Sequence, residues 1–191
     1  MTTENNGTAG KAATSGSAVG TSKGYYNTNG KLVLGETEEL GSNVFKFNSK
    51  DAPEYYIHTK EAIAHYAGVN YGKNMRMLVK NGEEKKFTKP TLEAPKKKKG
   101  QEDRDPSPGE LEEFKMELLL YHKEKKEYNE QKQKLFIVIL GQCTRATKNK
   151  LFSDSKFKTL EKEDDVVGLL EKLEQLAFLG RRSEGHLFTH G

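Results

Sequence analysis

A chain of 191 residues fits one domain or a small pair of domains. Only 34% of the residues are hydrophobic and 31% are charged. Weakly apolar segments bury too little surface to offset the entropy of ordering them, so this composition excludes a core to which every segment contributes. The net charge of +4 is compatible with contact to a polyanion, but ordinary solubilising lysines also explain it.

The single cysteine, Cys143, excludes an internal disulfide and a zinc site built from several thiolates. Residues 1–23 are small and polar and lack the apolar centre of a signal peptide. The apolar run from Leu135 to Leu140 is too short to span a bilayer. We therefore expect a cytoplasmic protein without a membrane partner.

The front of the chain shows no regular pattern. Residues 1–43 are rich in Gly, Thr, Ser, Ala and Asn, which predicts a disordered tail. The alternation from Val44 to Phe47 is strand-like but short. We expect one helical domain over 44–180, followed by a frayed tail over 181–191.

Two helices are predicted in the first part of this domain. Thr59 is the expected N-cap of the first, and Gly68 is its expected end. The second is predicted over 73–80, where Asn81-Gly82 supplies a left-handed stop.

The segment 83–107 combines charge with three prolines and is predicted to be a solvated linker. A run of four lysines in its middle belongs either to this linker or to a nuclear-import or RNA-contact patch. These residues are Lys96, Lys97, Lys98 and Lys99.

A long helix is predicted from Pro108 to Leu140, with a capping box formed by Ser107 and Glu110. Unbroken, it is roughly 50 Å long at 1.5 Å per residue. Its N-terminal half is expected to bury one stripe, and its apolar end, 135–140, is expected to lie in the middle of the fold. The stripe consists of Leu111, Phe114, Leu118, Tyr121, Tyr128, Leu135 and Ile139.

Gly141 permits a bend, after which a short helix is predicted over 144–151 and a turn at Ser153 to Ser155. The last helix is expected to start after the acidic residues of 161–165 and to stop at Gly180. This organisation predicts an all-α fold, a small helical bundle with one long helix. The expected core and assembly residues are Leu135, Ile139, Leu140, Val166, Leu170 and Leu173.

No group of residues predicts catalysis, a cofactor or a metal. Cys143 lies in an apolar run without a histidine nearby in sequence, which indicates a buried, inert thiol. The acids of 163–165 are better explained by capping a helix than by binding a metal. We expect a protein that is not an enzyme.

An alternative interpretation of the basic residues is contact with the phosphate groups of a nucleic acid. Lysines of the long helix, together with Lys96 to Lys99, Arg145 and Lys148, are its candidate residues. Glutamates interleaved on the long helix indicate intrahelical ion pairs instead. The alternative function is therefore non-specific nucleic-acid binding by a lysine-rich helical protein.

Packing motifs follow one another in a recognisable order through the second half of the chain. They are Tyr128, Lys132, Leu135, Gly141 to Thr144, Lys148, Lys150, Leu151, Asp165, Val166 and Leu169 to Leu173. Together with the upstream residues Glu61 to Ile63, Tyr66 to Gly68, Tyr71, Met75 and Arg76, they resemble the Gag (capsid) region of Copia-like LTR retrotransposons, in the form found in diatoms and other algae. The likeness covers residues 44–178.

This resemblance implies a helical capsid-like fold, self-assembly as a homo-oligomer that packages the RNA of the element, and no enzymatic activity. RNA is then a weak partner beside a second copy of the chain itself. Many such Gag proteins carry Trp followed three residues later by Leu on the last helix. This chain has Leu170 and Leu173 at those positions.

Overall fold

The computed structural model describes residues 33–92 and 105–182, with side chains placed as far as residue 179. Within these ranges the protein is all-α, as the sequence predicts, with six α-helices and one 3-10 helix at Glu38–Leu40. The α-helices are α1 (Ala52–Asn70), α2 (Lys73–Asn81), α3 (Pro108–Gly141), α4 (Arg145–Phe152), α5 (Phe157–Lys162) and α6 (Val166–Arg182).

Parts of three predicted segments lie outside the described residues. These are 1–32 of the predicted tail, 93–104 of the predicted linker, which contains Lys96 to Lys99, and 183–191 at the other end.

Helix α1 begins earlier than the sequence suggested. It starts at Ala52 with Pro53 in its first turn, where the fixed φ of proline suits a helix start. The predicted N-cap, Thr59, is wrong, because this residue is buried inside the helix. Gly68 does not end the helix either. A Cβ atom at Gly68 would lie 3.1 Å from the Arg76 side chain, so this glycine serves the close approach of α2.

Helix α2 matches its prediction closely. Gly82 adopts the left-handed conformation with φ 71° and ends the helix, which lets its N–H donate to Leu78 O at 3.0 Å. Met75, Leu78 and Val79 are all buried, and these three residues form the face of α2 that packs into the core.

The capping box of α3 is confirmed. Ser107 Oγ accepts from Glu110 N at 3.3 Å, and Ser107 N donates to Glu110 Oε2 at 2.7 Å. From this start the helix continues without interruption to Gly141. The two reciprocal bonds satisfy donors that a helix start otherwise leaves unpaired.

The first part of the predicted linker, 83–92, has no regular secondary structure, but it packs against α3. The ring of Phe87 contacts that of Tyr128, with centroids 5.4 Å apart, and Lys85 N donates to Tyr128 Oη at 3.2 Å. Ion pairs join Lys85 to Glu124 at 2.8 Å and Lys132 to Glu84 at 2.7 Å. Most residues of 83–92 are exposed, as the predicted solvated linker implies, but Lys85 and Phe87 are only partly exposed and pack on α3.

One continuous core joins α1, α2, the C-terminal half of α3 and α6. Leu135 and Ile139 are fully buried, whereas Ile137 is 61% exposed and Leu140 is only partly buried. The expectation that the whole run 135–140 lies inside the fold is thus wrong. A helix packed along one side leaves the opposite positions in water, even where they are apolar.

The C-terminal part adds one helix that the sequence analysis missed, α5. Thr144 caps α4 by accepting from Thr147 N at 3.3 Å, and Asp165 Oδ1 accepts from Gly168 N at 2.9 Å at the start of α6. Helix α6 continues past Gly180 to Arg182, so the predicted stop is wrong.

Candidate assembly surface

The two halves of α3 have different surroundings. No residue of 108–127 is buried, whereas Tyr128, Leu135, Phe136, Ile139 and Gly141 are. The described contacts of the first half come from 83–92, through the ring of Phe87 beside Tyr121 and the ion pair to Glu124. Helix α3 therefore packs in the core by its C-terminal half, and most of its N-terminal half stays open to solvent. The expectation that the N-terminal half buries its stripe is wrong, because Leu111 is exposed and Phe114, Leu118 and Tyr121 are only partly buried.

Apolar side chains are exposed on this N-terminal half. Met116 is 64%, Leu119 70% and Leu120 58% exposed. Leu119 comes nine residues before Tyr128, which at about 100° per residue places the two on opposite sides of the helix. We call Met116, Leu119 and Leu120 the outward apolar patch. An exposed cluster of this kind on a helix that is otherwise highly charged is typical of an interaction surface.

Charge is distributed unevenly along the helix around this patch. Glu112 and Glu113 precede it, and Lys123 and Lys126 follow it, all four with exposed side chains. Lys126 also lies 3.8 Å from Glu130, one turn further along. Both signs of charge occur in this stretch, but along the line of the patch Glu112 lies on one side and Lys123 on the other, which gives the surface a direction.

The other end of α3 is fixed by residues 35–43, which pack against it, so the predicted disorder of 1–43 is wrong for this part of the tail. The side chain of Gln142 is fully buried and bridges this segment. Its amide is assigned from the hydrogen-bond network, in the orientation whose nitrogen donates to Asn43 O at 2.8 Å and whose oxygen accepts from Thr37 N at 3.0 Å. Glu36 N also donates to Gly141 O at 3.2 Å. These bonds hold the end of the long helix firmly in the body of the protein.

Phe45 extends this anchoring to α4. Its N–H donates to Gln142 O at 2.7 Å, and its carbonyl accepts from Thr144 N at 3.1 Å and from Thr147 Oγ1 at 3.0 Å. In the described ranges this isolated bridge to Cys143 is all that corresponds to the strand-like alternation at Val44 to Phe47. The segment thus pairs locally and forms no strand there.

The predicted core and assembly residues belong to the interior of a single copy. Leu135, Ile139, Val166, Leu170 and Leu173 are all buried, and Leu140 is partly buried against them. The five buried side chains stabilise the fold of one chain and are not accessible to a second. A contact between copies must therefore use other residues.

Of the six predicted nucleic-acid residues, two lie in the described part of the chain. Arg145 is exposed at the start of α4, whereas Lys148 forms an ion pair with Glu36 and is only partly exposed. Lys96 to Lys99 lie outside the described residues. The structure therefore brings Arg145 and Lys148 to one short helix and leaves one of these two charges engaged by a carboxylate.

Burial gives Cys143 the properties of an interior side chain. Desolvation raises the pKa of its thiol to about 12, although nearby Lys148 opposes the shift. Its Sγ donates to Ile139 O at 3.4 Å. A thiol that keeps its proton is a poor nucleophile.

Two other kinds of feature are absent from the described part of the chain. Among the residues of 33–92 and 105–182, no cluster of three His, Cys, Asp or Glu side chains converges as metal ligands. None of the helices in these ranges has an apolar stretch long enough to cross a membrane.

Sequence reasoning missed the outward apolar patch, although a signal for it was present. Leu118, Leu119 and Leu120 are consecutive, and a helix turns about 100° per residue, so one buried stripe cannot contain all three. Leu118 is half-buried and the other two are exposed. The triplet itself predicts that some leucine faces away from the core.

No protein-family model matches the chain, and no curated protein or solved structure matches it either. The resemblance to the Gag region of Copia-like retrotransposons therefore stays a hypothesis.

Proposed function

We propose that this protein is a non-enzymatic assembly protein of the cytoplasm, a Gag-like capsid segment whose copies associate through their helices. The observation that carries the proposal is the outward apolar patch on α3, with Leu119 70% exposed. Exposed leucines on a long, anchored helix cost solubility, and burial against a second copy offsets that cost. The anchoring of α3 by Gln142 supports this proposal, because it presents the patch on a rigid element.

The test is the mass of the protein in solution after nuclease treatment, measured by sedimentation over a range of concentrations. We expect species larger than one copy, and we expect Leu119→Asp to shift them toward the monomer. The matched control is Val69→Asp, which places the same charge at a residue that is 72% exposed on α1 and should leave association unchanged. A wild-type protein that is monomeric at every concentration would contradict the proposal.

Binding of nucleic acid is the second candidate function, and the exposed Arg145 favours it. RNA is then packaged weakly by basic side chains and not read by sequence. A titration of labelled RNA at two salt concentrations measures this, because the binding constant of such a contact falls steeply with salt. Arg145→Ala should weaken binding for every RNA sequence to a similar degree. Binding that does not change with salt would exclude this function.

A further inference from the structure

A second periodicity runs along the outward side of α3. Glu112, Met116, Leu119, Lys123 and Lys126 follow one another at alternating spacings of four and three residues. This is the spacing of the two contact positions in a coiled coil. All five side chains are exposed, so no described part of the same chain covers them. We call these five residues the outward seam.

The opposite side of the same helix carries the contacts to the body of the protein. Three aromatic residues recur every seven positions, Phe114, Tyr121 and Tyr128, and at about 100° per residue they lie on the side of the helix opposite the seam. Tyr128 is buried, and Tyr121 contacts Phe87. The helix therefore has one side for its own chain and one side left for a partner.

We infer that two copies pair through their outward seams in antiparallel orientation, which rests on the self-association proposed above. The twofold axis crosses the outward side of the helix at the level midway between residues Glu117 and Leu118. Met116 of each copy then contacts Leu119 of the other, and Glu112 of each copy faces Lys123 of the other. The contact has an apolar centre of four side chains with one ion pair on either side.

Charge selects this orientation over the parallel one. In a parallel pair Glu112 of one copy lies beside Glu112 of the other and Lys123 beside Lys123, so like charges meet at both ends. The antiparallel pair replaces both repulsions by attractions. Exposed ion pairs add little affinity by themselves, so their effect is on orientation, while Met116 and Leu119 supply the apolar area.

The contact is short, and the pair is expected to dissociate on dilution. Specific interfaces begin at about 1,200 Å² of total buried surface, and a pair of half-helices lies near that lower limit. Leu120, beside the seam, adds apolar surface at the edge of the contact and is 58% exposed in the single chain.

The experiment is a charge exchange on the full-length chain, with the dissociation constant measured by sedimentation equilibrium. Glu112→Lys and Lys123→Glu each turn two attractions per dimer into repulsions, and each should weaken the dimer about tenfold. The double variant Glu112→Lys with Lys123→Glu restores both ion pairs in reversed sense, so its dissociation constant should return to within about threefold of the wild type. Residues 112 and 123 are too far apart on one helix to compensate within a single chain.

Glu117→Lys is the matched control, because it makes the same charge change in the same part of α3 but lies off the seam. It should change the dissociation constant by less than about threefold. Thermal unfolding followed by circular dichroism verifies that each variant keeps its helices. A double variant as weak as the single ones overturns the antiparallel arrangement while leaving self-association intact. A wild-type chain that stays monomeric at every concentration contradicts the proposed function as well as the antiparallel pairing.

Discussion

Gln142 lies directly against the backbone of Gly35. A Cβ atom at Gly35 would come within 1.6 Å of the Gln142 amide. The contact joins residues that are far apart in sequence, and it positions the amide to bond Thr37 and Asn43. A side chain at position 35 would therefore force the buried Gln142 amide to move.

The first prediction follows from this contact. Gly35→Ala should lower the free energy of unfolding by about 1–3 kcal/mol, because the added methyl group displaces the Gln142 amide. Gln142→Ala should cost a similar amount by leaving Asn43 O and Thr37 N without their bonds. Urea unfolding of both variants and of the double variant forms a cycle. The double variant should lose clearly less than the sum, and strict additivity would contradict the contact.

The second prediction compares two isoleucines two positions apart on α3. Ile139→Asp should destabilise the fold by several kcal/mol, roughly 3–5, because it buries a charge without a partner. Ile137→Asp should change the free energy of unfolding by less than about 0.5 kcal/mol, since Ile137 is 61% exposed. Chemical denaturation at a low protein concentration measures both. Equal losses of stability at the two positions would show that a different face of α3 packs in the core.

The third prediction concerns a buried hydroxyl. Thr59 is fully buried in α1, and within the described part of the chain its Oγ1 has no hydrogen-bond partner. Thr59→Val keeps the shape and removes the unsatisfied polar atom, so it should raise the free energy of unfolding by about 1 kcal/mol. Thr147→Val is the control, because Thr147 Oγ1 donates to Phe45 O at 3.0 Å and its loss should destabilise. A destabilising Thr59→Val would mean that the hydroxyl does have a partner.

The fourth prediction is a loss of stability at alkaline pH. Burial raises the pKa of Cys143 from 9.0 to about 12, so the folded chain keeps this proton at pH values where the unfolded chain has released it. The contribution is fully present below about pH 9 and disappears as the pH rises toward about 12. Burial also raises the pKa of Tyr71 to about 12, and that of Tyr56 in the same direction. A difference of one pH unit between the folded and the unfolded pKa of a group corresponds to about 1.4 kcal/mol.

The measurement is the free energy of unfolding across this pH range, for the wild type and for Cys143→Ala. The variant should be less stable at neutral pH, because a small cavity replaces the thiol, but its decline above about pH 9 should be shallower. Parallel curves for the two proteins would show that the thiol does not contribute to the pH dependence.

Features set by neighbouring residues were predictable from the sequence. The capping box of Ser107 and Glu110 and the left-handed Gly82 both depend on chemistry within a few positions, and both appear in the structure. The predicted cap at Thr59 was wrong because a threonine alone is a weak signal for a helix start, whereas Pro53 marks the actual start. Local signals of this kind locate helix ends only where several agree.

Long-range contacts were not predictable. The ring of Phe87 packs on Tyr128 across a stretch that looked like a solvated linker, and nothing near Phe87 in sequence indicates that partner. The outward apolar patch was predictable only in part, because the leucines at 118–120 show that some leucine faces outward but not which one. The apolar residues of α3 predict that one side of the helix is buried, but they do not identify the side. Leu119 faces outward because Tyr128, on the opposite side of the helix, is the one that packs in the core.

Most of the N-terminal half of α3 extends from the described fold as an arm, with contacts to 83–92 at Tyr121 and Glu124. From Leu119 to Tyr128 this arm is roughly 14 Å long at 1.5 Å per residue. Two arms paired about the point between Glu117 and Leu118 would place the bodies of the two copies at opposite ends of the pair, at a spacing set by the number of residues between that point and Tyr128. Inserting one heptad into each arm should increase the distance between the two bodies by roughly 10 Å per arm. Seven residues are close to two full helical turns, so the seam would keep nearly the same orientation relative to the body. The length of α3 would then set the distance between the two copies.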